Sequence, residues 1–192
     1  MIPVPTSPQA FFGSYVPATF ARIGEALGNV SSPGAVVFHV GDQSFALRLV
    51  AGTLVSEPTV PEDTLVQLSL GPDDFEPILV RGAEQIESAA TSSERQLAVF
   101  RALLLDAERA GMIRDVRGSL AVELVGERPH RLILTPGNRT PAESAECTVR
   151  CALADFLAMQ RGESNPFELM MSGKIQITGD AQLVMALSSL FI

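Results

Sequence analysis

The alternation of hydrophobic and polar positions predicts two successive rounds of strands, each followed by a helix. In the first round, alternation over 34–57 breaks at Gly41-Asp42, which predicts a hairpin. Residues 64–70 predict a further strand. The segment 71–82 begins with proline and acidic residues and ends at a glycine, which is typical of a helix.

The second round repeats this order closer to the C-terminus. Residues 118–137 predict a strand, a turn and a strand, and residues 147–153 predict an alternating strand. A short helix that ends at Gly162 follows. Before this round, residues 93–111 carry the clearest helical stripe of the chain.

The last segment predicts a helix, a strand and a final apolar helix. Asn165 is the predicted N-cap of the first helix, which ends at Gly173. The stretch 174–180, KIQITGD, then predicts a strand with Ile175 and Ile177 facing inward.

The two rounds match in order, and this predicts an internal duplication. Phe75 of the first round corresponds to Phe156 of the second. The first copy lacks an equivalent of the strand 174–180, and its place is taken by 83–93, which we interpret as a connection. The predicted organisation is an irregular leader over 1–16, a degenerate half over 17–92 and a complete half over 93–192.

Two motifs of the second round resemble the sterol carrier protein (sterol-transfer) domain family. They are Asp155-Phe156 at the start of a helix and GKIQITGD, residues 173–180, before the last helix. The resemblance implies an α+β fold in which a twisted sheet, with helices on one side, encloses an apolar tunnel. It also implies binding of sterols, fatty acids, acyl-CoAs or phospholipids without cofactor or catalysis, in some members as an accessory to a larger enzyme or in quinone synthesis.

The C-terminal segment supplies the candidates for the wall of such a tunnel. Four of the six methionines fall within 156–191, and methionine side chains repack at low cost around variable apolar ligands. The alternative interpretation is that these residues only fill a core around one sheet. The predicted lipid-binding residues are Phe156, Phe167, Met170, Met171, Ile175, Ile177, Leu183, Met185, Leu187 and Leu190.

Composition excludes several classes of partner. The chain has 192 residues, 46% of them hydrophobic, and a net charge of −8. This balance argues against nucleic acid and against stable attachment to anionic lipid. The longest uncharged apolar stretch, 181–192, is far shorter than the ~20 residues that span a bilayer. The N-terminus has no basic region before an apolar run, so we expect a soluble, cytoplasmic protein with at most transient membrane contact.

The chain lacks the patterns that catalysis and metal binding require. It contains neither a G-x-S-x-G elbow nor an H-E-x-x-H pair, and we assign no role to His39 or His130. The acidic pair Asp73-Asp74 is interpreted as the start of a helix. Cys147 and Cys151, roughly 13 Å apart on one face if they lie on a strand, are too distant for a disulfide and are interpreted as small core residues.

The sequence therefore predicts a protein that binds a lipid or another long apolar molecule without catalysis, cofactor or metal. The alternative is an accessory or interaction module with a filled cavity, serving a lipid- or quinone-metabolising partner. The identity of the ligand, the number of cavities, and the presence of a protein partner or a homodimer stay open at this stage.

Overall fold

One β-sheet organises the described part of the chain, and the α+β class that the sequence predicts is confirmed. The structure, a computed structural model, describes residues 3–23, 31–89, 92–103, 107–141 and 144–188. The described strands are β1 Ala35–Val40, β2 Gln43–Val50, β3 Thr53–Glu57, β4 Thr64–Leu70, β5 Leu120–Val125, β6 Pro129–Pro136, β7 Cys147–Ala152 and β8 Gln176–Gly179.

Helices precede and follow each group of strands. Two π-helical turns, Phe11–Tyr15 and Glu76–Val80, continue directly into α-helices. The described α-helices are α1 Pro8–Ala10, α2 Val16–Ile23, α3 Pro72–Phe75, α4 Arg81–Ser88, α5 Ser92–Leu103, α6 Ala107–Asp115, α7 Leu153–Arg161, α8 Pro166–Met171 and α9 Ala181–Ser188.

The described strands lie side by side in the order β3-β2-β1-β4-β6-β5-β7-β8. β1 and β2 form the predicted hairpin, with Gly41 at a φ of 56° in the turn. A second hairpin, between β2 and β3, is absent from our prediction because its turn dipeptide, Ala51-Gly52, is not among those that signal a hairpin. Ala51 and Gly52 form this turn, both with positive φ.

The two halves of the sheet share one arrangement of strands. β1 pairs antiparallel with β2 and parallel with β4, and β5 pairs in the same two ways with β6 and β7. A helix follows the third of these strands in each half, and β4 pairs with β6 to join the halves. This arrangement agrees with the predicted duplication, which stays a prediction because strand order alone does not establish it.

The N-terminal segment differs from the irregular leader predicted over 1–16. Helical structure runs without a break over 8–23. The ring of Phe12 lies 4.8 Å, centroid to centroid, from both Phe38 and Phe45, and its side chain is 1% exposed. The prolines that suggested an irregular segment are therefore outweighed by aromatic packing against the sheet.

One apolar cluster extends along both halves of the sheet. It reaches from Phe12 near the N-terminus to Leu187 in the last helix, so the halves share a common core. Helix α6 packs on the opposite face, where Ile113 contacts Leu65. Leu65 alternates with Val66 of the main cluster, which explains why the two point to different faces. In this respect the structure departs from the predicted arrangement with helices on one side only.

The segment 83–93, interpreted from the sequence as a connection, is mostly helical and belongs to α4 and α5. Within this segment the acidic residue Glu87 is buried, with only 8% of its surface exposed. Tyr15, Arg22 and Gln96 all donate hydrogen bonds to Glu87 Oε1, at 3.3, 2.7 and 2.6 Å. This polar cluster connects helical segments from both predicted halves.

Helix α7 is held in place by α4 and α5. Arg161 donates a hydrogen bond to Gln85 Oε1 of α4 at 2.8 Å. Arg95 of α5 donates to the carbonyl oxygens of Met159 and Gln160, both at 3.3 Å. The two bonds from Arg95 satisfy carbonyls at the C-terminal end of α7, and the bond from Arg161 fixes α7 beside α4.

Candidate functional site

Strand β8 forms one edge of the described sheet, and its position is fixed by pairing with β7. Ile177 pairs with Val149, and Gly179 pairs with Cys147. Directly paired residues of an antiparallel ladder share one face of the sheet. Ile177 therefore lies on the same face as the buried Cys147 and Cys151, the inner face that the alternation predicts.

The two motifs that carry the family resemblance are in direct contact. Lys174 Nζ lies 3.0 Å from Asp155 Oδ1, so the start of β8 is tied to the first turn of α7. The hydrophobic pattern gives no sign of this pair. The signal that could have revealed it is the presence of opposite charges in two motifs of one family.

The predicted ends of the C-terminal helices are confirmed. Asn165 Oδ1 accepts a hydrogen bond from the backbone N–H of Phe167 at 2.8 Å. Gly162 ends α7 in the left-handed conformation, with a φ of 76°. Asp180 Oδ1 accepts from the N–H of Gln182 at 2.9 Å, so this carboxylate caps α9.

The predicted site residues divide into buried and exposed groups. Leu183 and Leu187 are buried in the main core, and Phe156 and Ile175 are partly buried against it. Leu190 lies outside the described residues. The exposed members are Phe167 at 63%, Met170 at 45%, Met171 at 73%, Ile177 at 36% and Met185 at 77%.

Helix α8 presents apolar side chains to the solvent. Its carbonyl at Leu169 accepts backbone hydrogen bonds from Lys174 and Ile175, and the Leu169 side chain is buried. Residues three and four positions apart share one side of a helix, which places Phe167 beside Met170 and Met171. The resemblance implies an enclosed wall here, whereas these side chains lie at the surface. We call the exposed set the C-terminal apolar surface: Phe167, Met170, Met171 and Ile177.

Met185 is also exposed, but its side chain projects in a different direction from the buried side of its helix. It projects from the side of α9 away from the buried Leu183 and Leu187, because it is two residues from each. Among the predicted site residues of α9, Met185 therefore does not face the same side as Leu183 and Leu187, so the three do not form one binding wall.

The two cysteines lie beneath this region as free, buried thiols. Their interpretation as small core residues is confirmed. Burial, together with the negative charge of Asp155, raises the pKa of Cys151 to about 11. Burial is also the main cause that raises the pKa of Cys147.

We expect both thiols to resist an aromatic disulfide reagent in the folded protein at mildly alkaline pH. A pKa of about 11 in place of 9.0 lowers the thiolate fraction of Cys151 about a hundredfold, and burial blocks access. Absorbance of the released thiolate measures the reaction before and after denaturant is added. Rapid reaction of either thiol without denaturant would contradict this burial.

A polar pocket of about 590 Å³ lies elsewhere on the molecule and contains none of the predicted site residues. Its position does not coincide with the apolar tunnel that the resemblance implies. Its lining consists of Glu62, Asp63, Thr64, Arg114, Arg117, Gly137, Asn138 and Arg139.

Both histidines have partners within the fold. His39 hydrogen-bonds to Ser44 and Gln67 through its two ring nitrogens, at 2.9 and 2.8 Å. His130 is buried on β6 and lies 2.9 Å from Asp74 in the first turn of α3. Within the described ranges, no group of three His, Cys, Asp or Glu side chains could hold a metal ion. None of the described helices combines the length and apolar character needed to cross a bilayer.

A curated relative is similar to a short stretch of the chain. Human sterol carrier protein 2 is 42% identical over 48 residues, which make up 25% of this chain and 9% of the human protein. The chain thus aligns with less than a tenth of that relative's length.

Solved sterol carrier structures also resemble part of the chain. The apo form of sterol carrier protein 2 from Yarrowia lipolytica is 16% identical and covers 50% of this chain and 92% of its own, with a TM-score of 0.35. Palmitated SCP2L2 from Aedes aegypti is 19% identical and covers 61% of this chain and 93% of its own, with a TM-score of 0.37.

A family model matches the segment that contains both motifs. The model describes the SCP-2 sterol transfer family and matches residues 100–192, somewhat less than half of the chain. The matched segment includes β5 to β8 and the helices α7 to α9. The resemblance predicted from the sequence is therefore confirmed: residues 100–192 match the model of the SCP-2 sterol transfer family.

Proposed function

We propose that this protein binds one long apolar molecule, such as a fatty acid, on its C-terminal apolar surface and carries it without catalysis. The observation that carries the proposal is the exposure of Phe167, Met170 and Met171 on one side of α8, the helix that precedes the exposed edge strand β8. Large apolar side chains grouped on a surface commonly mark a binding site. The family match of this segment supports a lipid as the ligand.

The hydrophobic tunnel forms, in this proposal, only when the ligand completes it. Ile177 lies on the inner face of the sheet and is still 36% exposed, so a chain placed there gains an apolar wall. Each buried methylene contributes about 0.8 kcal/mol before the costs of ordering. The thioethers of Met170 and Met171 adapt to chains of different shape, which favours broad over narrow specificity.

A second candidate function follows from the position of β8. This strand lies at an edge of the described sheet with all its residues exposed, and edge strands are templates for pairing with another chain. The same surface would then receive a protein partner, such as a lipid- or quinone-metabolising enzyme, or a second copy. The two candidates differ in whether a lipid binds in the absence of any other protein.

We expect Met170→Glu and Met171→Glu each to weaken the binding of a fluorescent fatty acid about tenfold or more, since a charge at the surface opposes the apolar chain. Fluorescence titration, followed by displacement with unlabelled fatty acid, measures the dissociation constants. Val50→Glu is the matched control, because Val50 is 49% exposed and lies on β2, which neighbours the other edge strand, β3.

Two results would overturn the proposal. Binding that is weakened equally by Val50→Glu would show that the effect is not specific to this surface. A folded protein that shows no saturable, displaceable binding would favour the interaction module instead.

A further inference from the structure

The polar pocket combines three arginines in a chain whose net charge is −8. Arg114 lies in the last turn of α6, Arg117 follows the helix, and Arg139 lies in the turn after β6. The pocket measures about 590 Å³, which lies within the usual range for small-molecule sites. It shares no residue with the C-terminal apolar surface, so an inference about it does not depend on the lipid proposal.

Each of these guanidinium groups retains free hydrogen-bond donors. Arg114 donates to the carbonyl of Pro33 at 3.1 Å, and Arg139 donates to the carbonyl of Val116 at 2.9 Å. Arg117 donates to the carbonyl of Arg114 at 3.5 Å, a long contact. A guanidinium has five N–H donors, and none of the three forms an ion pair with another described residue. Most of their donors are thus unused by the described residues and face a site that could take an anion.

The acidic residues of the lining offset only part of this charge. The carboxylate of Asp63 is bound by Arg48, which lies outside the lining. Glu62 is exposed, as are Arg114 and Arg117, so water screens the charges of all three side chains alike. With Asp63 paired, the three arginines face one carboxylate, so the pocket is locally positive.

A fully buried side chain holds the turn that carries Arg139. Gln67 is 1% exposed, and its amide nitrogen donates to the carbonyls of Gly137 and Arg139 at 3.0 and 2.5 Å. Its amide oxygen lies 2.8 Å from Nε2 of His39, which fixes the orientation of the amide. Gln67 therefore fixes the backbone of the turn that carries Arg139 on one side of the pocket.

We propose that this pocket binds the phosphate group of a phosphorylated small molecule or of a lipid headgroup. The planar fork of a guanidinium matches the oxygens of phosphate in bidentate geometry. A phosphate has more acceptor oxygens than a carboxylate and so suits three arginines better. The remaining volume, with Asn138 and Glu62 on the lining, can accept the hydroxyl or amino groups of the rest of the ligand.

The test compares the unmodified protein with the double variant Arg114→Gln, Arg117→Gln. Calorimetric titration with glycerol 3-phosphate, and with inorganic phosphate, measures a soluble ligand. Sedimentation with phosphatidylcholine vesicles, with and without phosphatidic acid, measures the headgroup. Arg81→Gln is the matched control, since Arg81 is exposed on α4 and does not line the pocket.

We expect saturable binding in at least one arm, weakened about tenfold or more in the double variant and unchanged in Arg81→Gln. Binding of the soluble phosphates assigns the site to a small molecule, and binding only of vesicles with phosphatidic acid assigns it to a headgroup. The proposal is overturned if neither arm shows binding, or if Arg81→Gln weakens binding as much as the double variant. Arg117→Lys, which keeps the charge, should retain part of the affinity, and this distinguishes lost charge from lost structure.

Discussion

Gly179→Ala is expected to lower the free energy of unfolding by about 3 kcal/mol and to detach β8 from β7. A Cβ atom at position 179 would lie 2.2 Å from the carbonyl oxygen of Glu146 and 3.0 Å from the Cα atom of Cys147. Both atoms belong to the backbone of the neighbouring segment, so neither can turn aside. The φ of 96° at Gly179 adds strain for any other residue.

Alanine substitutions at two other glycines distinguish the steric clash at position 179 from the strain of its positive φ. Gly173 has a φ of 72° and open space around it, so Gly173→Ala should cost only about 1 kcal/mol. Gly82 is helical with open space, and Gly82→Ala should stabilise by about 0.5–1 kcal/mol. Urea unfolding compares the three variants. A cost for Gly179→Ala no larger than that for Gly173→Ala would show that the Glu146 backbone yields easily.

Gly179→Ala also tests whether the C-terminal apolar surface depends on the pairing of β8 with β7. Ile177 is placed on the inner face only through its pairing with Val149. Loss of that pairing should therefore abolish fatty-acid binding in Gly179→Ala while Gly173→Ala retains it. Hydrogen exchange of the β8 amides reports the pairing independently of any ligand.

Local rules of the sequence predicted the C-terminal elements well. Asn165, Gly162 and Asp180 each end or begin a helix as their chemistry indicates, because capping depends on a few adjacent residues. The alternation of Ile175 and Ile177 likewise gave the inner face of β8. The family motifs then placed these elements in one fold.

The exposure of the candidate site could not be predicted in the same way. Helical spacing groups Phe167, Met170 and Met171 on one side, but it does not say whether another element covers that side. Coverage depends on contacts between distant segments, which a single sequence does not display. The polar pocket was missed for the same reason, since Arg114 and Arg139 come together through the packing of α6 on β4 and the pairing of β4 with β6.

The interpretation of 83–93 as a connection failed for a different physical reason. The segment has few large apolar residues, and hydrophobic periodicity detects only helices that bury an apolar stripe. Here the buried residue is Glu87, which is stabilised by donors from α2 and α5 and from the π-helical turn before α2. A buried acid becomes favourable only when the rest of the fold supplies its partners.

Glu87→Ala is therefore expected to lower the free energy of unfolding by about 3 kcal/mol, because Tyr15 and Gln96 would remain buried without their acceptor. Burial, with the negative charge of Glu87, raises the pKa of Tyr15 to about 12. Arg22 contributes less to this cost, since its side chain is 41% exposed and can turn to water.

Two further substitutions locate the origin of that cost. Glu87→Gln keeps an acceptor oxygen for Gln96 or Tyr15 and should cost about 1 kcal/mol. Glu84→Ala, at an exposed position of the same helix, should change stability by less than about 0.5 kcal/mol. Since Glu87 joins the N-terminal helices to α5 at the start of the second half, unfolding of Glu87→Ala measured by circular dichroism should remain one transition at a lower midpoint. Equal stability of Glu84→Ala and Glu87→Ala would show that the cluster contributes nothing to holding the halves together.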